Sequence, residues 1–544
     1  MGARKIEETI NAGIEDLRDT VRSYFDKGYN HIVTITGIDV GENIRLLYHM
    51  ANMDGDLVHI ATETSKKSLK VPTIIDIIPG AYIYEMEVHD LFGVNFTVNP
   101  WMKFKLLLPD CYPSDMPPPL WKEVDAKKVQ QSLFSIESPA CALKEPFSGV
   151  SRLSPESMVV PFGPYHPALK EPEHFRLIVE GERIVKAIPR IGFVHRGVEK
   201  AAESRSYLRD IFLLERICGI CSFIHSWTFV QAVEKLLNLK PPRRAEWIRT
   251  MVSELERIHS HSLWLGLVGY WMGFDTMFMW IWGVRETIMD LLELLCGNRV
   301  HKSIVTIGGV RRDVTKEKLN TVIKQMKKFM KEFKQIMDEV LSYDEFIERT
   351  SNIGVFSAET ARKLCTVGPI RRTIGDPYDI RKIEPYGAYE EIGFQVVTEN
   401  KGDVYHAIRQ RMREIYESAR MIEVLAKEMP GGEAVPKRLF MGVVPEGEAV
   451  ARGEAPRGEL FYYVKSNNKH NPYRVKVRTP TLANITLASE NLKGATLSDV
   501  PLVITAIDPC FSCMDRVAVY RKNTGEMFML TEDDFRKLRR KWKP

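Results

Sequence analysis

The sequence predicts an α+β fold, in which a small N-terminal α+β domain precedes a large, mainly helical domain with a central helix bundle and peripheral short β-strands. Three observations support this prediction. A helical pattern and then β-branched runs occupy residues 1–122, long helical patterns cover 207–295 and 316–341, and short strand-like runs return after residue 459. The 544 residues suffice for several domains, and a 44% hydrophobic content is typical of a folded globular protein.

The overall charge argues against one class of partner. Lys and Arg total 76 against 71 Asp and Glu, and a net charge of +5 is too small in a chain of this size to indicate nucleic-acid binding. The N-terminal residues lack the apolar core of a signal peptide, so we expect a cytoplasmic protein. The apolar stretch 263–282 contains Asp275 and runs into charged residues without a loop, which favours a buried helix over a membrane span.

The small N-terminal domain is predicted from two patterns. Strand-like runs rich in β-branched residues lie at 31–40 and 57–64. Before them, apolar residues recur at the spacing of one amphipathic helix, namely Ile6, Ile10, Ile14, Leu17, Val21 and Tyr24. A helix followed by strands is typical of a small α+β unit.

Two irregular stretches mark the domain boundary. Residues 109–119 are dense in proline, and residues 135–157 are rich in Pro, Ser and Gly without periodicity. We therefore divide the chain into a first domain at 1–122, a linker at 123–157, a large domain at 158–516 and a C-terminal extension at 517–544.

Short strands are expected near the end of the large domain. The runs 460–464 and 473–477 have the length and composition of strands, and so does the apolar run 500–507. The second of two cysteine pairs follows this last run directly.

The first cysteine pair, Cys218 and Cys221, has C-x2-C spacing within a helical pattern. If the helix continues through Gly219, both thiols project from one core-facing stripe together with His225. The spacing therefore predicts two buried thiols beside an imidazole.

The second pair, Cys510 and Cys513, has the same spacing. Asp508 can cap a helix N-terminus and Pro509 suits the first helical position, so the spacing also predicts these two thiols on one helix face. Two such pairs can bring four sulfurs to one point, and four thiolates repel one another unless a metal ion neutralises them. The sequence thus predicts a metal site.

The two pairs alone leave three kinds of metal site open. A structural zinc site is the commonest use of two C-x2-C pairs, an iron–sulfur cluster can occupy the same four thiols, and so can a catalytic site for a soft transition metal. Zinc ribbons generally keep their pairs within tens of residues, and a zinc site closed by four thiolates requires neither His225 nor Asp508.

The surrounding residues resemble one known family. Residues 216–222 with His225, and residues 508–513, resemble the paired motifs of the large subunit of nickel–iron (NiFe) hydrogenases, in the membrane-bound branch related to complex I. Three further stretches match that branch, at 163–172, 195–200 and 454–460. In the first domain, residues 85–94 and 106–110 resemble the 30 kDa subunit of complex I. The whole arrangement resembles the formate hydrogenlyase large subunit, with a 30 kDa-like domain fused to a 49 kDa-like catalytic domain.

This resemblance implies a ligand set. Cys218 and Cys510 would be terminal ligands of nickel, while Cys221 and Cys513 would bridge nickel to an iron that carries CO and cyanide. Thiolates suit this chemistry because they are soft ligands that can also accept a proton.

The resemblance also assigns residues around the metal. Glu171 would relay protons from the thiolates, and Arg457 would present its planar donors to the cyanide ligands and the open face of the metal. His225 would hydrogen-bond the sulfur of Cys221, and Asp508 would orient Arg457. Some relatives hold magnesium through a His three residues after the last Cys; this chain has Arg516 there, so we make no magnesium assignment.

Electrons must pass through partner subunits, because the remaining cysteines are too dispersed for a cluster motif; they are Cys111, Cys141, Cys296 and Cys365. The resemblance implies a small hydrogenase subunit with a proximal 4Fe-4S cluster, ferredoxin-like electron-transfer subunits, membrane subunits of a complex I-like arm, nickel-insertion proteins and a maturation endopeptidase. It places the chain at the cytoplasmic face of the cell membrane, held there by these partners.

The expected function is that of the catalytic subunit of a membrane-associated, energy-converting hydrogenase, which reduces protons to H2 and is linked to formate or CO oxidation. Two alternatives remain: a complex I-type oxidoreductase subunit without hydrogenase activity, and a zinc-bearing scaffold subunit. Complex I subunits lack the four thiols, which argues against the first alternative.

Removal of residues 517–544 is a testable prediction of the resemblance, since such large subunits are cut after the last Cys motif once nickel is bound. An extension beyond Cys513 would hold that segment away from its buried position until nickel has entered. Intact-mass measurement of nickel-loaded protein should therefore show a chain ending at Arg516, and protein from nickel-free medium should keep its full length. Active, nickel-loaded protein that still ends at Pro544 would show that the extension is permanent.

Overall fold

The computed structural model describes residues 3–6, 8–108, 112, 116–125, 154–164, 166, 169, 171–510, 519–520 and 527–528. Within them the predicted α+β class is confirmed: an N-terminal α+β unit precedes a larger unit of long helices with strands at its periphery. Most of the predicted linker lies outside the described residues, so its boundaries stay predictions.

The N-terminal unit is built on a four-stranded sheet. Its elements are β1 (Ala3–Lys5), β2 (Ile10–Asn11), α1 (Leu17–Asp26), β3 (His31–Asp39), β4 (Asn43–Ala51), β5 (Leu57–Ser65), β6 (Lys70–Pro72), α2 (Tyr82–Phe92) and β7 (Asn95–Thr97). The strand order is β2-β5-β4-β3, antiparallel except for β2. Gly37 on β3 allows α2 to pack closely, since a Cβ there would lie 2.6 Å from the ring of Phe92.

The helix expected from residue 6 onward is wrong in its first half. The helix begins only at Leu17, while Ile10 lies in β2 and pairs in parallel with Ile60 of β5. The backbone N–H of Ala12 continues this pairing by donating to the carbonyl of Ala61 at 2.8 Å. Backbone pairing with the sheet edge therefore outweighs the weak helix preference of the β-branched residues there.

The second unit opens with an antiparallel sheet of order β10-β9-β8, formed by β8 (Ser157–Phe162), β9 (His174–Glu180) and β10 (Arg183–Arg190). Its helices follow in chain order: α3 (Val198–Ala202), α4 (Tyr207–Glu215), α5 (Ser222–Leu236), α6 (Arg243–Trp271), α7 (Asp275–Cys296), α8 (Lys316–Val340), α9 (Asp344–Thr350), α10 (Ala358–Lys363), α11 (Pro369–Arg372), α12 (Ile380–Ile383), α13 (Tyr389–Ile392) and α14 (Val404–Lys427). A two-stranded pair, β11 (Val305–Thr306) and β12 (Gly309–Val310), lies between α7 and α8.

The predicted helix bundle forms around α6. This 29-residue helix packs against α7 and α14, and α8 packs against both of these. The apolar stretch 263–282 is not one helix, because α6 ends at Trp271 and Gly273, with φ of 74°, reverses the chain before α7. None of the described helices has both the length and the hydropathy of a membrane span.

The two units share a sheet of order β1-β13-β14-β15, whose edge strand β1 comes from the N-terminal unit. Its other strands are β13 (Gly447–Ala455), β14 (Gly458–Ser466) and β15 (Arg474–Arg478). A buried apolar cluster joins residues of both units, among them Val33, Ile38, Leu47, Val450, Phe461 and Tyr463.

The last elements correct one prediction. The apolar run 500–507 is helical, as α16 (Val500–Ala506), and a further helix, α15 (Pro480–Asn491), precedes it. A capping box between Thr496 and Asp499 leads into α16, and Pro501 occupies its first turn. Hydrophobic periodicity cannot separate a strand from a helix in so short a run. Beyond it, β16 (Val519–Tyr520) pairs with β17 (Met527–Phe528).

Arg478 should be essential for the joint between the two units. Its buried guanidinium donates to the carbonyl of Val33 on β3 at 2.8 Å and to Glu459 Oε2 on β14 at 2.8 Å. Arg478→Met leaves Glu459 buried with one cation fewer, so we expect a loss of about 3–5 kcal/mol in the free energy of unfolding. Thermal unfolding measures it, with Lys493→Met as the control, since Lys493 lies in the turn after α15 in an exposed pair with Glu490. Equal unfolding midpoints would contradict the role of Arg478.

Candidate metal centre

The first cysteine pair lies in a turn between two helices, so the continuous helix through Gly219 is not formed. Helix α4 ends at Glu215, and Cys221 is the residue that precedes the first turn of α5. The sulfur of Cys218 accepts hydrogen bonds from the backbone N–H groups of Ile220 at 3.3 Å and Cys221 at 3.4 Å. The turn therefore presents N–H donors to one sulfur, which favours the thiolate.

Cys510, which lies much later in the sequence, packs against this turn. Its sulfur lies 3.1 Å from that of Cys218, although 292 residues separate them, and both side chains are buried. This distance is too long for a disulfide bond and suits two ligands of one ion. Hydrogen bonding by Cys221 and Cys510 holds the pKa of the Cys218 thiol well below its usual value.

The segment before Cys510 does not have the backbone that we expected. Asp508 has a φ of 50°, in the left-handed region rather than the extended conformation of a helix cap, and no helix covers 508–510. The backbone N–H of Cys510 instead donates to Thr481 Oγ1 at 3.1 Å. Cys513 and the helix expected around it lie outside the described residues, so the convergence of all four thiols stays a prediction.

Arg457 occupies the turn between β13 and β14, and its buried guanidinium lies against the thiol segment. Its Nε donates to the carbonyl of Asp508 at 2.8 Å, its Nη2 to Asp508 Oδ1 at 3.0 Å, and its Nη1 to Ser260 Oγ at 3.2 Å. Burial alone would lower its pKa, but Asp508 and the three neighbouring thiolates raise it well above the usual value. The guanidinium is a fixed positive charge beside the sulfurs.

Close backbone packing holds this turn in place. Gly368 has a φ of 78°, and a Cβ added there would lie 2.3 Å from the carbonyl oxygen of Arg457. The side chain of Asn484 links these two segments, because its Nδ2 donates to the carbonyl of Val367 at 3.1 Å and to that of Arg457 at 3.4 Å. Arg457 is thus positioned from its backbone as well as from its side chain.

His225 lies on the first turns of α5, fully buried. Its Nδ1 shares a hydrogen bond of 2.8 Å with the hydroxyl of Tyr462, and its Nε2 has no hydrogen-bond partner among the described residues. The expected bond to the sulfur of Cys221 is therefore not formed in this structure. Burial lowers the pKa of His225 to about 4, so its imidazole is neutral.

Glu171 lies half-buried in the segment between β8 and β9. That segment enters β9 at His174, whose Nδ1 contacts the carbonyl of Gly163 at 3.1 Å. The role of Glu171 as a proton relay stays a prediction.

Sequence reasoning missed a buried ion pair that supports the cysteine turn. Glu256 on α6 accepts hydrogen bonds from the backbone N–H groups of Phe223 at 2.8 Å and Ile224 at 3.1 Å, at the start of α5. Lys302 lies 2.9 Å from Glu256 and donates to the carbonyl of Ile220 at 3.4 Å. The sequence offered one signal for this pair, the carboxylate of Glu256 within the apolar pattern of α6. Its partner, Lys302, lies in a loop that contains no motif.

The donor set suits a soft metal ion. Thiol sulfurs beside a neutral imidazole, whose Nε2 has no partner among the described residues, are typical surroundings for nickel, zinc or iron rather than for magnesium or calcium. Within the described ranges, no three His, Cys, Asp or Glu side chains are spaced as a metal-binding group. The fourth predicted ligand, Cys513, belongs to the part that is not described.

The fold and the thiol pair together define a large subunit of the complex I and hydrogenase type. Residues 10–130 match the family of the 30 kDa subunit of respiratory-chain NADH dehydrogenase, and residues 272–441 and 438–516 match that of its 49 kDa subunit. Residues 196–266, which include the first cysteine pair, match the nickel-dependent hydrogenase family.

Individual relatives show more closely which members of this class the chain is similar to. The membrane-bound hydrogenase subunit alpha of Pyrococcus furiosus is 41% identical over 394 residues, which are 70% of this chain and 92% of the relative. Formate hydrogenlyase subunit 5 of Escherichia coli is 33% identical over 85% of this chain and 80% of its own. A chain of the archaeal membrane-bound sulfane sulfur reductase, a respiratory membrane complex, superposes with a TM-score of 0.63 at 33% identity, over 67% of this chain and all of its own.

The chain belongs to the family of membrane-bound NiFe-hydrogenase large subunits, and it carries the 30 kDa-like domain of complex I at its N-terminus. The expected enzyme class, a nickel-dependent hydrogenase, is confirmed by these relationships. These relationships agree with the presence of the thiol pair. A complex I subunit without hydrogenase activity would have no use for it.

Arg457→Lys should separate the charge of this side chain from its shape. A lysine keeps the positive charge but cannot donate at once to the backbone carbonyl of Asp508, to Asp508 Oδ1 and to Ser260 Oγ. We expect nickel content to be retained and H2 evolution to fall at least about tenfold. Arg420→Lys, at an exposed arginine paired with Glu417 on its own helix, is the matched control. Unchanged turnover in Arg457→Lys would show that only the charge matters.

Proposed function

We propose that this chain is the catalytic subunit of an energy-converting hydrogenase that reduces protons to H2 with electrons from a partner iron–sulfur subunit. The contact between the sulfurs of Cys218 and Cys510 beside Arg457 is the observation that carries the proposal. When bound, the nickel–iron group supplies the soft metal at which protons and electrons combine.

The chain's own residues would hold this group. Cys218 and Cys510 are proposed to bind nickel, and Cys221 and Cys513 to bind nickel and an iron with CO and cyanide ligands. Arg457 supports the assignment because its charge offsets the thiolates that the metal requires to be deprotonated. We propose that His225 donates a hydrogen bond to the loaded centre through Nε2, which has no partner among the described residues.

Protons are proposed to move through carboxyl groups of this chain. A terminal thiolate accepts a proton, and Glu171, on the segment that leads into β9, exchanges it with solvent. Asp508 serves a different purpose, since both its carbonyl and its carboxylate are engaged by Arg457. It orients the guanidinium and does not carry protons.

The proposed partners draw on two relatives, since the hydrogenase subunit alpha of Pyrococcus furiosus is membrane-bound and the archaeal sulfane sulfur reductase is a respiratory membrane complex. We propose a small subunit with a proximal 4Fe-4S cluster, ferredoxin-like subunits and a membrane arm, with the chain on the cytoplasmic face. Removal of residues 517–544 by an endopeptidase, after nickel insertion, is supported by the 49 kDa-type match, which ends at residue 516.

Metal analysis and infrared spectroscopy of the purified complex test the proposed function. We expect nickel together with iron, and stretching bands of CO and cyanide. Zinc without nickel would indicate the scaffold subunit, and absence of metal would indicate a complex I-type subunit.

Cys510→Ser should abolish nickel binding and H2 evolution together, because a hydroxyl is a hard and weak replacement for a thiolate. Cys365→Ser is the matched control: this thiol is buried in contact with the carbonyl of Asn30, away from the pair, and burial raises its pKa to about 11. It should keep both nickel and activity. Retention of both in Cys510→Ser would overturn the ligand assignment.

A further inference from the structure

A small cavity adjoins the proposed metal centre on the side of the N-terminal unit. It measures about 70 Å³, and Cys510 lines it together with Glu87 and Leu107 of the N-terminal unit and with His195, Glu199 and Thr481. A water molecule needs roughly 10–15 Å³ of such space and several polar neighbours. This cavity is therefore large and polar enough for a short chain of water molecules.

Glu87 is the buried acid that the N-terminal unit contributes to this cavity. It lies on α2 and is 6% exposed. One oxygen, Oε1, accepts a hydrogen bond from Lys476 of β15, while Oε2 has no hydrogen-bond partner among the described residues. A buried carboxyl oxygen without a partner is rare, because its desolvation is not compensated. Water in the cavity would provide the partner.

The charges around Glu87 leave it able to change protonation. Lys476 Nζ also lies 3.5 Å from Glu199 Oε1, and Arg474 Nη2 lies 2.7 Å from Glu199 Oε2. Burial and the nearby Glu199 raise the pKa of Glu87, and they outweigh Lys476 and Arg474, which lower it. Burial alone would raise the pKa of Glu199, but Arg474 and Lys476 outweigh it and lower this pKa to about 2. Glu199 thus stays ionised and keeps both cations in place when Glu87 gains a proton.

We propose that Glu87 is a proton-carrying residue that serves the thiolate centre through water in this cavity. The inference rests on the proposed function. In this step the O–H bond at Oε2 breaks and an O–H bond forms on a cavity water, while another O–H bond of that water breaks and passes a proton on toward the thiolates. No electron moves in this step. Glu87 regains a proton from water on the side of the half-buried His195. The N-terminal unit then supplies a second proton input, separate from Glu171.

The test compares three variants of the purified complex. Glu87→Gln cannot carry a proton, Glu87→Asp can, and Glu85→Gln is a matched control on the same helix. Glu85 is buried, but Thr73, Ile74 and Asn99 occupy its oxygens and it does not line the cavity. For each variant we would measure nickel content, the pH profile of H2 evolution and the solvent deuterium isotope effect.

We expect Glu87→Gln to keep nickel, to slow H2 evolution at least about tenfold, and to show an altered pH profile and a larger isotope effect. Glu87→Asp should recover part of the rate. Glu85→Gln should lower thermal stability without changing the isotope effect. These readouts separate proton transfer from a structural contribution of the side chain.

A second measurement does not depend on turnover. The infrared difference spectrum between acidic and alkaline nickel-free protein should contain the C=O stretch of a buried carboxyl group that Glu87→Gln lacks and Glu85→Gln retains. Absence of that band from the wild type, or a Glu87→Gln variant with wild-type rate, pH profile and isotope effect, would overturn the inference. The inference would also be wrong if Glu87→Gln lost its nickel while Glu87→Asp kept the nickel content, pH profile and isotope effect of the wild type. Wild-type protein without nickel and iron would contradict the proposed function instead.

Discussion

The 3.1 Å contact between the sulfurs of Cys218 and Cys510 requires two segments separated by 292 residues to hold fixed positions. Ionised thiols this close repel each other, so the contact depends on positive charge and on N–H donors nearby. The turn at Ile220 and Cys221 supplies the donors. Arg457 supplies the charge, and its contact with Asp508 also fixes the segment that carries Cys510.

A network of buried ion pairs continues behind Arg457. Arg372 lies 2.8 Å from Glu454 on β13 and 2.9 Å from Glu414 on α14, and Arg381 lies 3.1 Å from Glu254 on α6. Hydrogen-bonded pairs of this kind tolerate little displacement, and removal of one partner typically costs about 3–5 kcal/mol. They therefore tie the bundle to β13, the strand that ends at the turn with Arg457. The positions of the two sulfurs therefore depend on directional contacts that these more distant ion pairs make.

The parts of this arrangement that could be predicted share one property: their signal is local in the sequence. Long helices such as α8 follow from hydrophobic periodicity. The closeness of Cys218 to Cys510 and the contact of Arg457 with Asp508 follow from short motifs that resemble those of a known family. The parts that were missed depend on contacts between distant segments. Ile10, for example, joins a strand because β5 offers an edge. The helix at 500–506 was missed for a different reason, since periodicity cannot separate a short helix from a strand, although a capping box precedes it. The pair of Lys302 and Glu256 has no motif, since neither residue is marked until the fold brings them together.

Strand β15 shows most clearly how tertiary structure changes the meaning of a pattern. Its sequence alternates Arg474, Lys476 and Arg478 with two valines, which reads as a half-buried strand with a solvated basic face. All three cations are in fact at most 2% exposed. Three of their partners belong to the N-terminal unit, namely the carbonyls of Gly37 and Val33 on β3 and the carboxylate of Glu87. The carboxylates of Glu199 and Glu459, from the second unit, also pair with these cations. Without the N-terminal unit this charged face would lose the β3 carbonyls and Glu87 beside the cavity of Cys510. The N-terminal unit therefore completes the surroundings of the metal centre, and its fusion to the catalytic domain keeps those partners in fixed register.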